Sequence, residues 1–208
     1  MAEQTLPKAV LDAADVSAVT QLILLERESR DLGRWDRMRE CFHPDSLVRI
    51  SWYRGDGPGF VAGSIDMARR KVLAKHRLGP ILVRLAGDRA VASLSAIIDI
   101  PVTLKGVPAH LSSHARFVYR AERRPPDAWR IAGFDALYVR DEITTPIPGQ
   151  AVPITWDEVA AFRPSYRMLS YVLTSQGYDV DHTLPGEDRP ETVESRYREI
   201  YGWAGLAP

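Results

Sequence analysis

The pattern of apolar and polar residues in the first third of the chain predicts helices. From Val16 to Arg30 the apolar side chains fall along one side of a helix, at Val16, Val19, Leu22, Ile23 and Leu25. The pattern breaks at Asp31 to Arg34 and resumes from Trp35 to Phe42, until Pro44 ends it. We therefore expect a helix, a short turn and a second helix.

The next segment alternates in the way that is typical of a strand and then becomes less regular. Leu47 to Tyr53 is predicted as the strand. Gly55 to Gly59 has the composition of a flexible loop, and Phe60 to Ala62 fits a second short strand. Ser64 is predicted to cap a helix that runs to about Lys75, which would put His76 just past its end.

Four β-rich segments follow, separated by short turns. They are Ile81 to Leu85, Ala90 to Ile100, His110 to Arg120 and Trp129 to Arg140. Consecutive strands with short connections form an antiparallel sheet, and helices that precede such a sheet pack on one of its faces. The predicted class is α+β, with a curved antiparallel sheet, the helices on one face and a pocket between the two layers.

The texture changes again beyond Asp141. Pro146 to Gly149 resembles a linker, and one or two helices are predicted within Trp156 to Ser175 and Glu191 to Trp203. We divide the chain into a domain of residues 1–140 and an extension of residues 141–208. The extension would pack on the domain or on a partner subunit, as a lid or as a clasp between subunits.

Composition narrows the classes of protein that this chain can be. Its 208 residues are 45% hydrophobic and 26% charged, as in a soluble globular protein. The 27 basic residues equal the 27 acidic ones, so we expect no nucleic-acid partner. Apolar runs are shorter than the ~20 residues that cross a bilayer. We therefore expect a cytoplasmic protein without a membrane partner. The single Cys41 is predicted to be a packed thiol, and no spacing of a metal site is present.

Four short motifs carry a resemblance to a known family. They are Ser29 to Asp31, Trp35 to Met38, Arg49 to Tyr53 and Lys75 to Gly79. Their order resembles that of scytalone dehydratase and the SnoaL-like group, within the nuclear-transport-factor-like superfamily of cystatin-like α+β cones. The resemblance covers about residues 10–140. It implies a cone or half-barrel whose sheet wraps the helices, with catalytic groups in the hollow, and a homodimer or higher homo-oligomer.

The resemblance implies an acid-base pair. Asp31 falls on the position of the family's catalytic aspartate and His76 on that of its partner histidine. A carboxylate that holds one imidazole nitrogen leaves the other able to take a proton, and it also favours the imidazolium. Alternatively, Asp31 stabilises the turn between two helices and His76 is an exposed cation at a helix end.

Five further residues are predicted to bind substrate. Trp52 and Arg30 fall where the dehydratase has tyrosines, so Trp52 would form an aromatic wall. Arg30 would bind an acidic substrate or form a surface salt bridge. Ser113 and Phe117 share the apolar, inward face of their strand, with His114 on the other face. Asp135 lies where SnoaL-like cyclases place their general base, with a cross-strand salt bridge as the alternative.

These residues predict a function for the pocket. We expect a lyase or isomerase that needs no cofactor and resembles a dehydratase. Asp31 and His76 would transfer a proton on a hydrophobic cyclic substrate of polyketide or steroid type. One alternative is an aldol cyclase of the SnoaL-like kind. The other is a non-catalytic protein of the same fold that binds a small molecule or serves as an assembly subunit.

Overall fold

The computed structural model describes residues 6–126 and 128–208. The first five residues of the predicted domain 1–140, and Asp127, lie outside these ranges. Within them the chain forms six α-helices, namely α1 (Lys8–Leu32), α2 (Trp35–Glu40), α3 (Gly57–Arg69), α4 (Trp156–Val159), α5 (Arg167–Ser175) and α6 (Pro190–Trp203). The same ranges contain seven strands, namely β1 (Phe42–Ile50), β2 (Tyr53–Gly55), β3 (Lys75–Leu78), β4 (Leu82–Ala86), β5 (Arg89–Leu104), β6 (Val107–Arg124) and β7 (Ala128–Thr144).

All the strands join one sheet, and its long strands give the molecule its curvature. The order is β2-β1-β7-β6-β5-β3, with β4 also paired to β5. Every pairing is antiparallel except that of β1 with β7. The register between β6 and β7 shifts at His114/Ala115 and at Arg120/Ala121, and such bulges bend a strand. The sheet is curved and unclosed, which confirms the predicted α+β class.

The core lies between the helices and the concave face of this sheet. Val19 and Ile23 of α1 are fully buried there. The Phe134 ring stacks on Tyr119 at 4.5 Å and meets Phe117 edge-on at 5.0 Å. The α1 helix ends at Gly33, whose φ of 70° is the left-handed conformation that glycine adopts without strain. This end of α1 brings Asp31 to the rim of the cone.

The segment between β2 and β3 differs from its prediction. Gly57 begins α3, so the stretch predicted as a loop and the strand predicted at Phe60 to Ala62 are helical. Asp56 caps this helix by accepting a hydrogen bond of 2.7 Å from the Gly59 N–H. A side chain at position 57 would clash with Phe42, so glycine is needed here for close packing. Ser64 lies inside the helix, where its hydroxyl donates to the Phe60 carbonyl oxygen, and is no cap.

The C-terminal extension packs on both sides of the sheet. Leu169 and Leu173 of α5 join the main core, on the concave side. The α6 helix covers the convex side, where Ile200 packs with Val118 and Leu137. The predicted homo-oligomer stays a prediction. The α6 helix covers part of the convex face of the sheet. In the described part of the chain, no helix combines the length and apolar character needed to span a membrane.

Candidate active site

Asp31 and His76 are in direct contact at the rim of the cone. Asp31 lies in the last turn of α1, and His76 lies in β3, an edge strand that pairs only with β5. One carboxylate oxygen of Asp31 is 2.6 Å from the His76 Nδ1, and the other accepts the His76 backbone N–H at 2.7 Å. The carboxylate therefore satisfies an amide of the edge strand and fixes the imidazole at the same time. His76 was predicted to lie just past the end of a helix. It lies instead in a strand, and α3 ends earlier, at Arg69.

The neighbours of His76 determine its tautomer. Arg27 Nη1 lies 3.4 Å from the His76 Nε2. A guanidinium can only donate, so Nε2 carries a lone pair and Nδ1 carries the proton that Asp31 accepts. The histidine thus has an unprotonated nitrogen on the side away from Asp31.

Burial keeps this histidine neutral. Loss of solvent, together with the positive charges of Arg27 and Arg30, lowers the pKa of His76 to about 4 against the opposing effect of Asp31. Asp31 favours the imidazolium, as predicted, but burial and the two arginines outweigh its effect. Burial raises the pKa of Asp31, but the two hydrogen bonds from His76 and the nearby positive charge of Arg27 together outweigh it, so the net pKa lies below its usual value. At neutral pH the pair is a carboxylate and a neutral imidazole.

A second buried ion pair, which the sequence interpretation missed, lies next to His76. The guanidinium of Arg27 binds both carboxylate oxygens of Glu26, and the Tyr119 hydroxyl donates to Glu26 at 3.3 Å. Burial alone would lower the pKa of Arg27, but Glu26 raises it above its usual value. Arg27 precedes Asp31 by four residues, a spacing that puts both on one helical face. From the sequence, this spacing could have identified Arg27 as a neighbour of Asp31 in the site.

The inner side of His76 borders a cavity within the cone. The cavity volume is about 30 Å³. This space can hold water, but a ring compound would fit only if the cavity walls moved. Apolar and aromatic side chains dominate the lining, with Leu169 and Leu173 of α5 on one side. Asp31 does not border this cavity. It lies with the outer edge of His76 in an open groove beside α1.

Three of the five predicted substrate residues border the cavity. Trp52, Arg30 and Phe117 all line it, although Trp52 lies in the turn between β1 and β2 rather than on a strand. Ser113 is fully buried on the concave face but does not border the cavity. It lies opposite Asp141, which accepts the Leu169 N–H at the start of α5. The prediction of Ser113 as a cavity contact is therefore wrong.

Asp135 lies on the opposite side of the sheet from the cavity. Its neighbours Phe134 and Ala136 line the cavity, so alternation directs Asp135 to the convex face. There Arg196 of α6 donates to it at 2.6 and 2.9 Å. The predicted substrate role of Asp135 is therefore wrong, and a salt bridge takes its place. His114 also lies away from the cavity, 3.7 Å from Glu142.

Comparison with solved structures agrees with this fold. A hexachlorocyclohexane dehydrochlorinase superposes with a TM-score of 0.56 at 15% identity, over 71% of this chain and all of its own. An NTF2-like protein with a cystatin-like fold from Novosphingobium aromaticivorans superposes with a TM-score of 0.50 at 21% identity, over 69% of this chain and 88% of its own. At these identities the likeness shows a shared fold alone.

Sequence comparison gives the family. The chain is 25% identical over 164 residues to pea pathogenicity protein 2 of Fusarium vanettenii, covering 77% of this chain and 70% of that protein. A family model described as the SnoaL-like domain matches residues 12–135, which include Asp31 and His76. This match spans more than half of the chain. The chain therefore belongs to the family of SnoaL-like domains.

Proposed function

We propose that this protein is a lyase or isomerase that needs no cofactor and moves a proton on a hydrophobic cyclic substrate. The observation that carries the proposal is the His76 imidazole, which is held at Nδ1 by Asp31 in a residue that lines the cavity. A neutral imidazole in a fixed tautomer is ready to accept a proton. The likeness to a dehydrochlorinase, an enzyme named for an elimination, supports the same reaction class.

The geometry supports a stepwise proton transfer. His76 Nε2 takes a proton from a carbon next to a carbonyl group, and Asp31 stabilises the imidazolium that forms. The electron pair from the broken C–H bond moves to the carbonyl oxygen. Arg27, whose Nη1 lies 3.4 Å from Nε2, is placed to donate a hydrogen bond to that oxygen.

Two outcomes can follow from the same enolate. In an elimination, the C–O bond at the next carbon breaks and the imidazolium returns its proton to the departing hydroxyl, which leaves as water. In an isomerisation, the proton returns to a different carbon. Asp135 lies beneath α6 on the convex face, so it does not support the aldol-cyclase alternative as a general base.

The test measures proton transfer from cyclic ketones. Deuterium uptake at the α-carbon of 2-tetralone, and conversion of 3-hydroxy-1-tetralone to 1-naphthol, are followed by NMR, using neutral and carboxylated forms of each. We expect His76→Gln to lower the rate by about 10² to 10⁴-fold, the usual contribution of a positioned base.

His114 provides the matched control, because it is also a histidine next to a carboxylate but lies away from the cavity. His114→Gln should keep the rate within about twofold of wild type. A His76→Gln protein as active as wild type would rule out His76 as the base. Thermal protection by these ketones in both proteins, without turnover in either, would favour the non-catalytic alternative.

A further inference from the structure

Arg30 differs from Arg27, the other arginine at the cavity, because it has no salt-bridge partner in the described part of the chain. Arg27 is paired with Glu26, and Asp31 is committed to His76. Within residues 6–126 and 128–208, Arg30 forms no ion pair. Its contacts are a 3.7 Å approach to the Met67 sulfur and a position 6.0 Å above the Trp52 ring. The cavity therefore has one guanidinium without a salt-bridge partner, although the charges of Asp31 and Glu26 act on it from a distance.

This charge is held in unfavourable surroundings. Burial, with the nearby charge of Arg27, lowers the pKa of Arg30 to about 10. Arg30 is partly buried, and a cation that loses solvent without gaining a salt-bridge partner destabilises the protein unless something compensates it. The aromatic face of Trp52 gives only weak compensation. An anion at this position would form a hydrogen-bonded pair with a guanidinium that already lines the cavity.

A second polar group without a partner lies against the same tryptophan. The Tyr178 ring is 6.3 Å from the Trp52 ring, and Arg70 lies 4.3 Å above the Tyr178 ring. In the described ranges the Tyr178 hydroxyl is buried and makes no hydrogen bond. Buried hydroxyls are normally satisfied, so an unsatisfied one on the same tryptophan as the unpaired Arg30 indicates a missing acceptor.

We propose that Arg30, with Tyr178 as a second donor, binds a carboxylate on the ring substrate of the proposed reaction, so that the enzyme selects monoanionic substrates. This inference rests on the proposed function for the identity of the ligand as a substrate. A single unpaired positive charge matches a monoanion, whereas a dianion would leave a negative charge buried in apolar surroundings. The planar fork of a guanidinium also matches a carboxylate.

The bound carboxylate would also affect His76. The positive charge of Arg30 is one of the influences that disfavour the imidazolium. Neutralising it with a substrate anion makes His76 a stronger base only when the correct substrate is bound. Selectivity and activation would then come from the same contact.

The experiment measures binding, which does not depend on turnover. Benzoate and 2-naphthoate are compared with their neutral amides by isothermal titration calorimetry. We expect wild type to bind a carboxylate at least about tenfold more tightly than its amide, as for a charge-assisted hydrogen-bonded pair. Arg30→Gln should abolish this preference while the affinity for the amide changes less than about twofold.

Further variants separate a binding role from a structural one. Arg30→Lys keeps the charge and should keep part of the preference, and Tyr178→Phe should reduce it by about threefold. Arg39, an exposed arginine paired with Asp36, is the matched control, and Arg39→Gln should behave as wild type. If Arg30→Gln does not fold, the Arg30→Lys and Tyr178→Phe results decide the question.

Three results would overturn the inference. These are equal affinities of wild type for carboxylate and amide, a preference that persists in Arg30→Gln, and no carboxylate binding up to about 1 mM. His76→Gln should keep the preference, because it removes the base and leaves Arg30 in place. Turnover lost in His76→Gln without any carboxylate preference would overturn this inference alone. A preference that depends on Arg30, with turnover unaffected in His76→Gln, would overturn the proposed function alone.

Discussion

The two faces of the sheet each bury a carboxylate among arginines, yet only one has the features of a reactive site. On the convex face, Arg196 donates twice to one oxygen of Asp135, and Arg120 lies 3.7 Å from the other. The α6 helix covers this cluster. On the concave face, Asp31 is joined to a histidine that borders a cavity, and Arg30 forms no salt bridge among the described residues.

This difference shows that a buried carboxylate alone is weak evidence for catalysis. Burial raises the pKa of Asp135, and the two arginines oppose that effect. Perturbed pKa values also occur in structural ion pairs, and this cluster faces a helix of its own chain. A cavity, an unprotonated nitrogen and an unpaired charge distinguish the concave site.

The largest expected change in stability comes from a substitution that breaks the ion-pair cluster on the convex face. Asp135→Asn would leave Arg120 buried without a carboxylate and Arg196 with Glu199 alone, and we expect it to lower the free energy of unfolding by about 4 kcal/mol. Urea unfolding measures this loss. The rate per folded molecule should stay within about twofold of wild type, because Asp135 has no contact with the cavity. A large loss of turnover in a fully folded Asp135→Asn protein would contradict the division between the two faces.

A smaller effect concerns the pH dependence of stability on the concave side. The pKa of His76 is about 4 in the folded protein and 6.5 when exposed. Between these values the unfolded chain binds more protons, so stability decreases as pH falls from 6.5 to 4. The loss amounts to about 3 kcal/mol at pH 4 for this group.

Urea unfolding at a series of pH values measures this contribution. His76→Gln should remove that part of the slope, while His114→Gln should keep it. The same pKa predicts that turnover loses its base only as pH approaches 4. Parallel stability profiles for wild type and His76→Gln would show that His76 is not held neutral by its surroundings.

The sequence predicts the parts of this molecule whose local pattern agrees with their final packing. The Val16 to Arg30 helix and the three long strands were predicted because each has a regular apolar pattern, although Val16 and Leu25 of the helix are exposed. Only the second half of α3 was predicted as helix, because its glycine-rich first turn is typical of a loop in isolation. Asp56 and the close packing against Phe42 make it helical, and composition does not reveal such contacts.

The candidate site shows the same division between local and tertiary information. Asp31 and His76 were found through the resemblance, and their contact is present. Asp135 was misassigned although the alternation of Phe134 and Ala136 already indicated the other face. The contribution of α5 to the cavity depends on how residues beyond 141 return to the sheet, which no local pattern encodes.

The smallest expected effect tests whether the Glu26 network beneath the site contributes to stability. Tyr119→Phe removes the donor of the 3.3 Å hydrogen bond to Glu26 and leaves the stacked ring in place. Because this bond is long, we expect a loss of about 1 kcal/mol in the free energy of unfolding. Tyr197 on α6 is the matched control, since its hydroxyl makes no hydrogen bond within residues 6–126 and 128–208, and Tyr197→Phe should be neutral. Equal losses in the free energy of unfolding for the two variants would show that the Tyr119 hydroxyl does not stabilise the protein. Arg27 would then be a sufficient partner for Glu26.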